Sequence, residues 1–363
     1  MAPRFRVIDT GLREGRANIA FGQALVEAHK AGAAPDTIRF LHFPPTALIG
    51  RHQDLSAEIH LAHCRAKGIG VVRRITGGGA IYLDEGQLGW ELAFHRKTLG
   101  IGSLADLTRM ICEAAAAGFS KLGVDARFRP RNDIEVNGRK LSGTGGFFDG
   151  DTLFYQGTLL IDMNPTEMVA ALNIPAAKLE KRNLHSGAQR VVTLKELLGG
   201  QVPDMATTQA AMLDGFAEGL GIDPEWGEIS TAEEAQAQRH FDEEIGTEAF
   251  VHEIDNPGAD AAVLRASRIC PGGAISAWLR LEGPRQDRIR EVLFTGDFFV
   301  TPPRMVYDLE ASLRGETVAG IPAAIERFFA TARPDLLTLR PDDFRDVLVE
   351  ASSHAALRGP KSP

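Results

Sequence analysis

Residues 133–136 and 139–142 read as two strands joined only by Asn137-Gly138. A two-residue Asn-Gly connection closes an antiparallel hairpin, whereas a parallel pair needs a crossover of a dozen or more residues. The same crowding governs the first 200 residues. Strand-like runs at 5–9, 37–43, 47–50, 70–74, 80–83, 88–94 and 152–162 follow one another across glycine and proline punctuation, and many of the gaps are too short for a helix. The spacing predicts an α+β fold on a mixed, largely antiparallel sheet.

Helices flank those runs. From Ser103 onward, Leu104, Leu107, Ile111, Ala115, Phe119 and Leu122 recur on one face, and Ser103 with Asp106 three residues on supplies an N-terminal cap. Residues 19–30, 56–67 and 206–220 carry further amphipathic runs. Polar and acidic residues dominate 231–260, which reads as a solvated helix and linker. A second pattern follows, with strands at 261–268, 274–281 and 289–295 and helices at 305–313, 321–332 and 341–350. The expected organisation is a ligand-binding domain over 1–230, the linker over 231–260, a smaller α+β accessory domain over 261–352 and a disordered tail over 353–363. A chain of 363 residues that is 44% hydrophobic can fill two such cores.

Charge and thiols narrow the function. A net charge of −8 gives no uniformly basic surface, so nucleic acid is excluded as the main partner. No run approaches the ~20 apolar residues of a membrane span, and the N-terminus lacks the apolar stretch of a signal peptide. The reading is cytoplasmic, without a membrane partner, and nothing demands more than a monomer. Cys64, Cys112 and Cys270 stand far apart with no CxxC pair, which reads as three reduced, ordinary thiols.

Two motifs carry chemistry. Arg73-Arg74-Ile75-Thr76-Gly77-Gly78-Gly79-Ala80 ends a strand in two cations and follows it with three glycines. Such a turn brings backbone N–H groups close to an anion, and arginine offers a planar fork to carboxylate or phosphate. The second motif is the 133–142 hairpin, whose returning strand carries Lys140 ahead of Ser142, Gly143, Thr144, Gly145 and Gly146. A lysine there can neutralise the charge that develops as a carboxylate attacks an α-phosphate. Read singly, the first motif is equally a glycine-rich hairpin with solvated arginines, and the second a surface lysine.

Together the motifs do more. Arg73 to Ala80, then Asn132-Asp133 with Gly138-Arg139-Lys140-Leu141-Ser142-Gly143, then Gln156-Gly157-Thr158-Leu159-Leu160 resemble the lipoate-protein ligase A family in order and spacing. Ile49-Gly50-Arg51-His52-Gln53 and Arg190-Val191-Val192-Thr193-Leu194 add to the likeness, which covers nearly all of 4–200. Residues 289–299 look like the family's accessory domain.

The resemblance implies a biotin/lipoate-ligase fold and a two-step reaction. Lipoate or octanoate and ATP give an acyl-adenylate and pyrophosphate, and a lysine of an acceptor then takes the acyl group. Carried over by position, Arg74, Gly77, Gly78, Gly79, Ala80, Ile81 and Tyr82 contact the nucleotide, Lys140 touches both acid and nucleotide, and Asp133 helps hold Mg2+ on the phosphates. Arg73 joins the substrate contacts, and Leu48, Ile49, Leu88 and Trp90 are candidates to line an apolar slot for the acyl chain. The acceptor would be a lipoyl-domain or H-protein-like protein.

The chain also departs from the family. Leu83-Asp84 stands where the family has His-Asp, Tyr155-Gln156 where it has His-His, and 255–273 differs from the family's lead-in to the accessory domain. Competing readings are a lipoyl or octanoyl transferase of the same fold, either cysteine-independent or thioester-forming, the latter needing an accessible thiolate, a biotin-protein ligase, and a non-catalytic binding module.

Overall fold

The computed structural model describes residues 2–100, 102–173, 190–332, 334–336 and 338–357. The chain divides into two compact units. The first holds Met1–Ile49, Glu58–Ile75 and Ala80–Glu253, and the second holds Gly50–Ala57, Thr76–Gly79 and Ile254–Pro363. No helix among the described residues is long and apolar enough to cross a membrane.

The first unit is built on an eight-stranded sheet of β1 (Arg4–Leu12), β2 (Thr37–His42), β6 (Gln87–His95), β7 (Arg127–Arg129), β8 (Asp133–Val136), β9 (Arg139–Asp149), β10 (Thr152–Leu160) and β11 (Asp223–Trp226). Its spatial order is β11-β1-β2-β6-β10-β9-β8-β7. Only the two pairs that β1 makes are parallel; the other five are antiparallel. The predicted hairpin forms at β8–β9, where Asn137 and Gly138 take φ values of 51° and 78°, both in the left-handed region that two-residue hairpin turns require. A smaller sheet joins β3 (Thr46–Ile49) to β4 (Gly70–Arg73) on one side and β5 (Ile81–Leu83) on the other.

Alternation along the strands sends neighbouring side chains to opposite faces. Phe154 packs with Leu25 and Val26 of α1 (Gly15–Lys30). Next to it, Tyr155 reaches Cys112 of α4 (Leu104–Ser120) on the other face. Ser103 caps α4 as the sequence predicts, its hydroxyl accepting from the Asp106 N–H at 3.0 Å. The run expected as one helix over 56–67 is two, α2 (Leu55–Glu58) and α3 (Leu61–Lys67), because Ile59 between them pairs with Leu172. Strands β7 and β11 escape the sequence patterns. Both are short, and Asp223-Pro224-Glu225-Trp226 has the composition of a turn.

A buried ion pair lies at the middle of the large sheet. Arg39 on β2 is fully buried, and its guanidinium donates to Glu91 on β6 at 2.8 Å, to the Asn18 carbonyl and side chain at 3.0 and 2.7 Å, and to Thr10 at 3.0 Å. The guanidinium also stacks 4.5 Å from the Phe21 ring centroid. Burial pulls the Arg39 proton affinity down and pushes the Glu91 carboxyl up, and each offsets the other's desolvation.

Residues 231–253, expected as a solvated helix leading into the linker, are part of this unit. Ser230 caps α8 (Thr231–His240) through a reciprocal bond with Glu233. The helix is fastened by Arg6 to Glu233 at 2.5 Å, Arg13 to Glu234 at 2.6 Å, and His240 to Glu27 of α1 at 2.9 Å. Its acidic residues face arginines distant in sequence, which charge patterning alone cannot reveal. After α4 come the short helices α5 (Pro165–Ala171) and α6 (Leu194–Leu197); α7 (Met205–Leu220) lies on α4, and α9 (Glu248–Val251) closes the unit.

The second unit contains an antiparallel sheet of β12 (Leu264–Cys270), β13 (Gly273–Glu282) and β14 (Arg288–Gly296). Ile275, Leu279 and Phe294 of that sheet share a core with Leu309 of α10 (Met305–Leu313), Ile325 of α11 (Ile321–Ala332) and Phe344 of α12 (Pro341–Leu357). Helix α12 continues through Leu357, so residues 353–357 are helical where a disordered tail is expected; 358–363 lie outside the described residues.

Glu91→Ala leaves Arg39 charged and dry, and should lower the unfolding free energy by about 3–5 kcal/mol in urea titration. A loss below about 1 kcal/mol would show that the pair is dispensable. On α8, hydrogen bonds from Arg13 hold the Glu234 carboxyl below its ordinary 4.5 against the burial that raises it. That lowered value stabilises the fold above pH 4.5, and the contribution drains as pH falls through the folded-state value. Glu234→Gln should cost about 1 kcal/mol or less near neutrality, and the gap to wild type should close on acidification. A gap independent of pH would refute the link.

Candidate active site

Lys140 is the second residue of β9, and its backbone is held from two sides. Glu135 of β8 pairs with it across a bulge at Leu141. On the other side Val191 bridges to Lys140, and the Val192 N–H donates to the Lys140 carbonyl at 2.9 Å. Arg139 ties that second segment down, donating to the Val191 carbonyl at 2.6 Å and pairing with Glu196. So fixed, the Lys140 side chain lies over Gly143: a Cβ added at 143 would stand 2.4 Å from Nζ. The ammonium meets Asp133, the cross-strand partner of Gly143, at 2.7 Å, and both side chains are partly solvent-accessible. Any side chain at 143 would make the lysine tip shift from this pose.

Arg74 follows β4 directly, and Ile81 and Tyr82 lie on β5 of the small sheet. The Arg74 side chain is buried and donates to the Leu48 carbonyl at 3.3 Å. Burial lowers its pKa to about 10, which leaves it cationic at neutral pH. Ile81 pairs with Leu48 and Tyr82 with Ala47, and Ala80 precedes them half-buried. Burial, then the carboxylates of Asp84, Glu167 and Glu85, push the Tyr82 phenol up to about 12, so it stays a neutral hydrogen-bonding group.

Three expectations are displaced. Arg73 is wholly buried and donates to the Phe250 and Val251 carbonyls at the end of α9, at 2.9–3.2 Å. Its guanidinium is thus engaged in holding the fold. Leu48 packs with Ile19, Leu41, Phe43 and Val72, whereas Trp90 packs against Tyr155 and Phe216 of α7. They belong to different cores and do not line one slot; Ile49 and Leu88 are likewise fully buried.

Residues Thr76–Gly79 fall in the second unit, where the missing side chains have a packing role. A Cβ at Gly77 would come within 2.0 Å of the Phe298 carbonyl oxygen, and the Gly78 N–H donates to that oxygen at 3.2 Å. Gly78 has φ of 94°, a conformation that side chains disfavour. In the same unit a Cβ at Gly50 would meet the Gly78 carbonyl oxygen at 1.9 Å. The glycines approach protein backbone as closely as the sequence reading expected them to approach a ligand.

All three cysteines are free and buried. Burial pushes the Cys112 thiol up to about 11 despite the Thr144 and Tyr155 hydroxyls within 3.4 Å. Cys270 is likewise pushed up to about 11, first by burial and then by Asp343, and burial raises Cys64. What the sequence did not single out is the Arg139 clasp. Its one signal was position, next to the lysine.

Comparisons with known proteins identify the family of the chain. A family model for the lipoyl protein ligase A/B catalytic domain matches residues 14–217. Octanoyltransferase LipM of Kyrpidia tusciae is 29% identical over 259 residues, 65% of this chain and 94% of that protein. Lipoate-protein ligase LplJ of Bacillus subtilis is 34% identical over 154 residues, 42% of this chain and 45% of that protein. A crystal structure of lipoate-protein ligase A bound with ATP shares the fold with a TM-score of 0.61 at 23% identity, covering 69% of this chain and 99% of its own. The chain therefore belongs to the lipoyl protein ligase A/B catalytic-domain family and is an enzyme of its ligase and transferase group.

Proposed function

We propose that this protein is an ATP-dependent lipoate-protein ligase, and the observation that carries the reading is the Lys140 ammonium lying over Gly143 beside Asp133. Joining a free carboxylic acid to an amine needs activation, which ATP supplies. The acid's carboxylate oxygen attacks the α-phosphorus, the bond to the β-phosphate oxygen breaks, and pyrophosphate leaves. Lys140 offsets the negative charge that gathers there. The acceptor's neutral amine then attacks the acyl carbonyl, AMP departs with the bonding pair, and the amine's proton passes to solvent. Arg74, Gly77, Gly78, Gly79, Ala80, Ile81 and Tyr82 would hold the nucleotide.

The described residues contain no group of three His, Cys, Asp or Glu able to hold a metal ion. Mg2+ would ride on the nucleotide's phosphates, with Asp133 offering a carboxylate. Lipoate or octanoate is the acid, and a lipoyl-domain or H-protein-like protein the acceptor. The enzyme would work as a cytoplasmic monomer.

The relative named as an octanoyltransferase favours a second reading, acyl transfer through a cysteine thioester. Thioester chemistry needs an accessible thiolate. Every cysteine here is buried, and two have pKa values of about 11, which supports the ligase.

Lys140→Ala should keep the wild-type melting curve and lose lipoyl-adenylate formation by about a hundredfold or more. A rate near wild type in a pyrophosphate-release assay would remove Lys140 from the chemistry. Single Cys64→Ser, Cys112→Ser and Cys270→Ser variants should retain ATP-dependent lipoylation of an apo acceptor, read by intact-protein mass. A cysteine whose loss abolishes transfer, with ATP unnecessary for octanoyl exchange, would select the transferase.

A further inference from the structure

Strands β9 and β10 pair from Asp149 and Thr152 as far as Thr144 and Gly157, and there the pairing ends. Beyond that point β10 stays with β6 through Leu160, while β9 runs back through Gly143 to Lys140 with β8 on its other side. The two strands therefore open into a fork, and Lys140 lies on the arm that has lost β10. Leu141 is the extra residue of a bulge, which bends a strand and disrupts its ladder locally. Strand β8 alone is thus a weak determinant of where Lys140 stands.

Residues 191–197 fill the fork. At one end Val191 bridges to Lys140 in parallel, and the Val192 N–H donates to the Lys140 carbonyl at 2.9 Å. At the other end, just past β10, the Lys195 N–H donates to the Ile161 carbonyl at 3.0 Å, and the Lys195 ammonium meets Asp162 at 2.8 Å. Val192 and Leu194 are buried between these ends, and Thr193 caps α6 by accepting from the Glu196 N–H at 3.2 Å. The segment takes the place that β10 gives up.

The fastening at the lysine end is made by side chains. The Arg139 guanidinium grips both oxygens of the Glu196 carboxylate, the second at 3.0 Å, and donates to the Val191 carbonyl at 2.6 Å. Two parallel bonds from a planar group fix direction as well as distance. Both side chains are partly exposed, so the pair adds little to overall stability. Its consequence is local, because a displacement of about 1 Å at a catalytic group can cost up to roughly a hundredfold in rate.

We infer that Arg139 and Glu196 are positioning residues for adenylation: their ion pair holds residues 191–197 in the fork, and that segment holds the Lys140 backbone so that the ammonium keeps its place over Gly143. This rests on the ligase reading for the reaction, and on the geometry of the fork for the role. In this role neither residue touches the reacting atoms. The charge of Arg139 is already balanced by Glu196, which separates the pair from a second phosphate-binding cation.

The test reads the clasp and the chemistry separately in the full-length protein. Hydrogen exchange at the Val192 amide, without nucleotide, reports the hold on Lys140, and pyrophosphate release with lipoate, ATP and Mg2+ reports the rate. Glu196→Ala should keep the wild-type melting curve, lose Val192 protection about tenfold and lower kcat about tenfold, with the KM for ATP within about twofold. Glu196→Gln, of the same length with one accepting oxygen, should recover most of both losses. Arg139→Lys keeps the charge and loses the planar fork, and should behave as Glu196→Ala does. A cation acting directly on phosphate would give the opposite pattern: release from Glu196 would leave the rate unchanged or raise it, and Arg139→Lys would be tolerated. That pattern, or wild-type Val192 protection in Glu196→Ala, would overturn the inference. Loss of Val192 protection in Glu196→Ala, in a protein whose wild type releases no pyrophosphate, would uphold the clasp and refute the ligase.

Discussion

The pose of Lys140 depends on an absence. The lysine tip occupies space that a Cβ at 143 would contest, so a side chain there would make the ammonium shift. A lysine on a hairpin strand otherwise samples several rotamers at a cost of up to about 2 kcal/mol when ordered. Here the backbone is pinned by β8 on one side and by Val191 and Val192 on the other. The Asp133 carboxylate supplies the end point. The result is a preorganised cation on a rigid strand, which is the condition under which electrostatic stabilisation of a developing charge is largest.

The glycine-rich turn shows how one sequence feature can carry two physical demands. Its residues approach the Phe298 carbonyl so closely that Gly77 cannot bear a side chain, and Gly78 sits in the left-handed region. Anion binding asks for the same things, bare backbone and an N–H directed outward. Sequence reasoning therefore identifies the turn correctly as a place of close approach and has no means of saying what approaches. The two arginines before it divide in a similar way. Adjacent strand residues face opposite sides, so Arg73 turns to the carbonyls ending α9 while Arg74 turns to Leu48.

The sheet's architecture was legible because its strongest signal, the Asn-Gly hairpin, also fixes register, and the register places Gly143 opposite Asp133. Local spacing predicted nearly every strand of the first unit's two sheets. What it left out depends on distance in sequence. Helix α8 reads as a solvated helix leading into a linker because its glutamates have no visible partner until Arg6 and Arg13 are brought to them from more than 200 residues away. Leu48 and Trp90 looked like lining for one slot because periodicity says which residues are buried and is silent on which core receives them. The hidden strand β11 owes its existence to pairing with β1, an interaction invisible in its own four residues.

Ligation and thioester transfer can share this fold because both need the same acyl carbonyl placed beside a cation. They differ in the atom that carries the activated acyl group. A transferase keeps it on sulfur, which calls for a thiol ionised near neutrality; a ligase keeps it on phosphate, which calls for positive charge spread over a nucleotide. In this chain the first requirement is opposed by burial, which holds Cys112 near 11 behind Tyr155 and Thr144 on the α4 face of the sheet. Lys140 lies over Gly143 on the α1 face. Moving that thiol to the lysine would mean passing it through the sheet, so the separation of Cys112 from Lys140 is fixed by strand alternation itself.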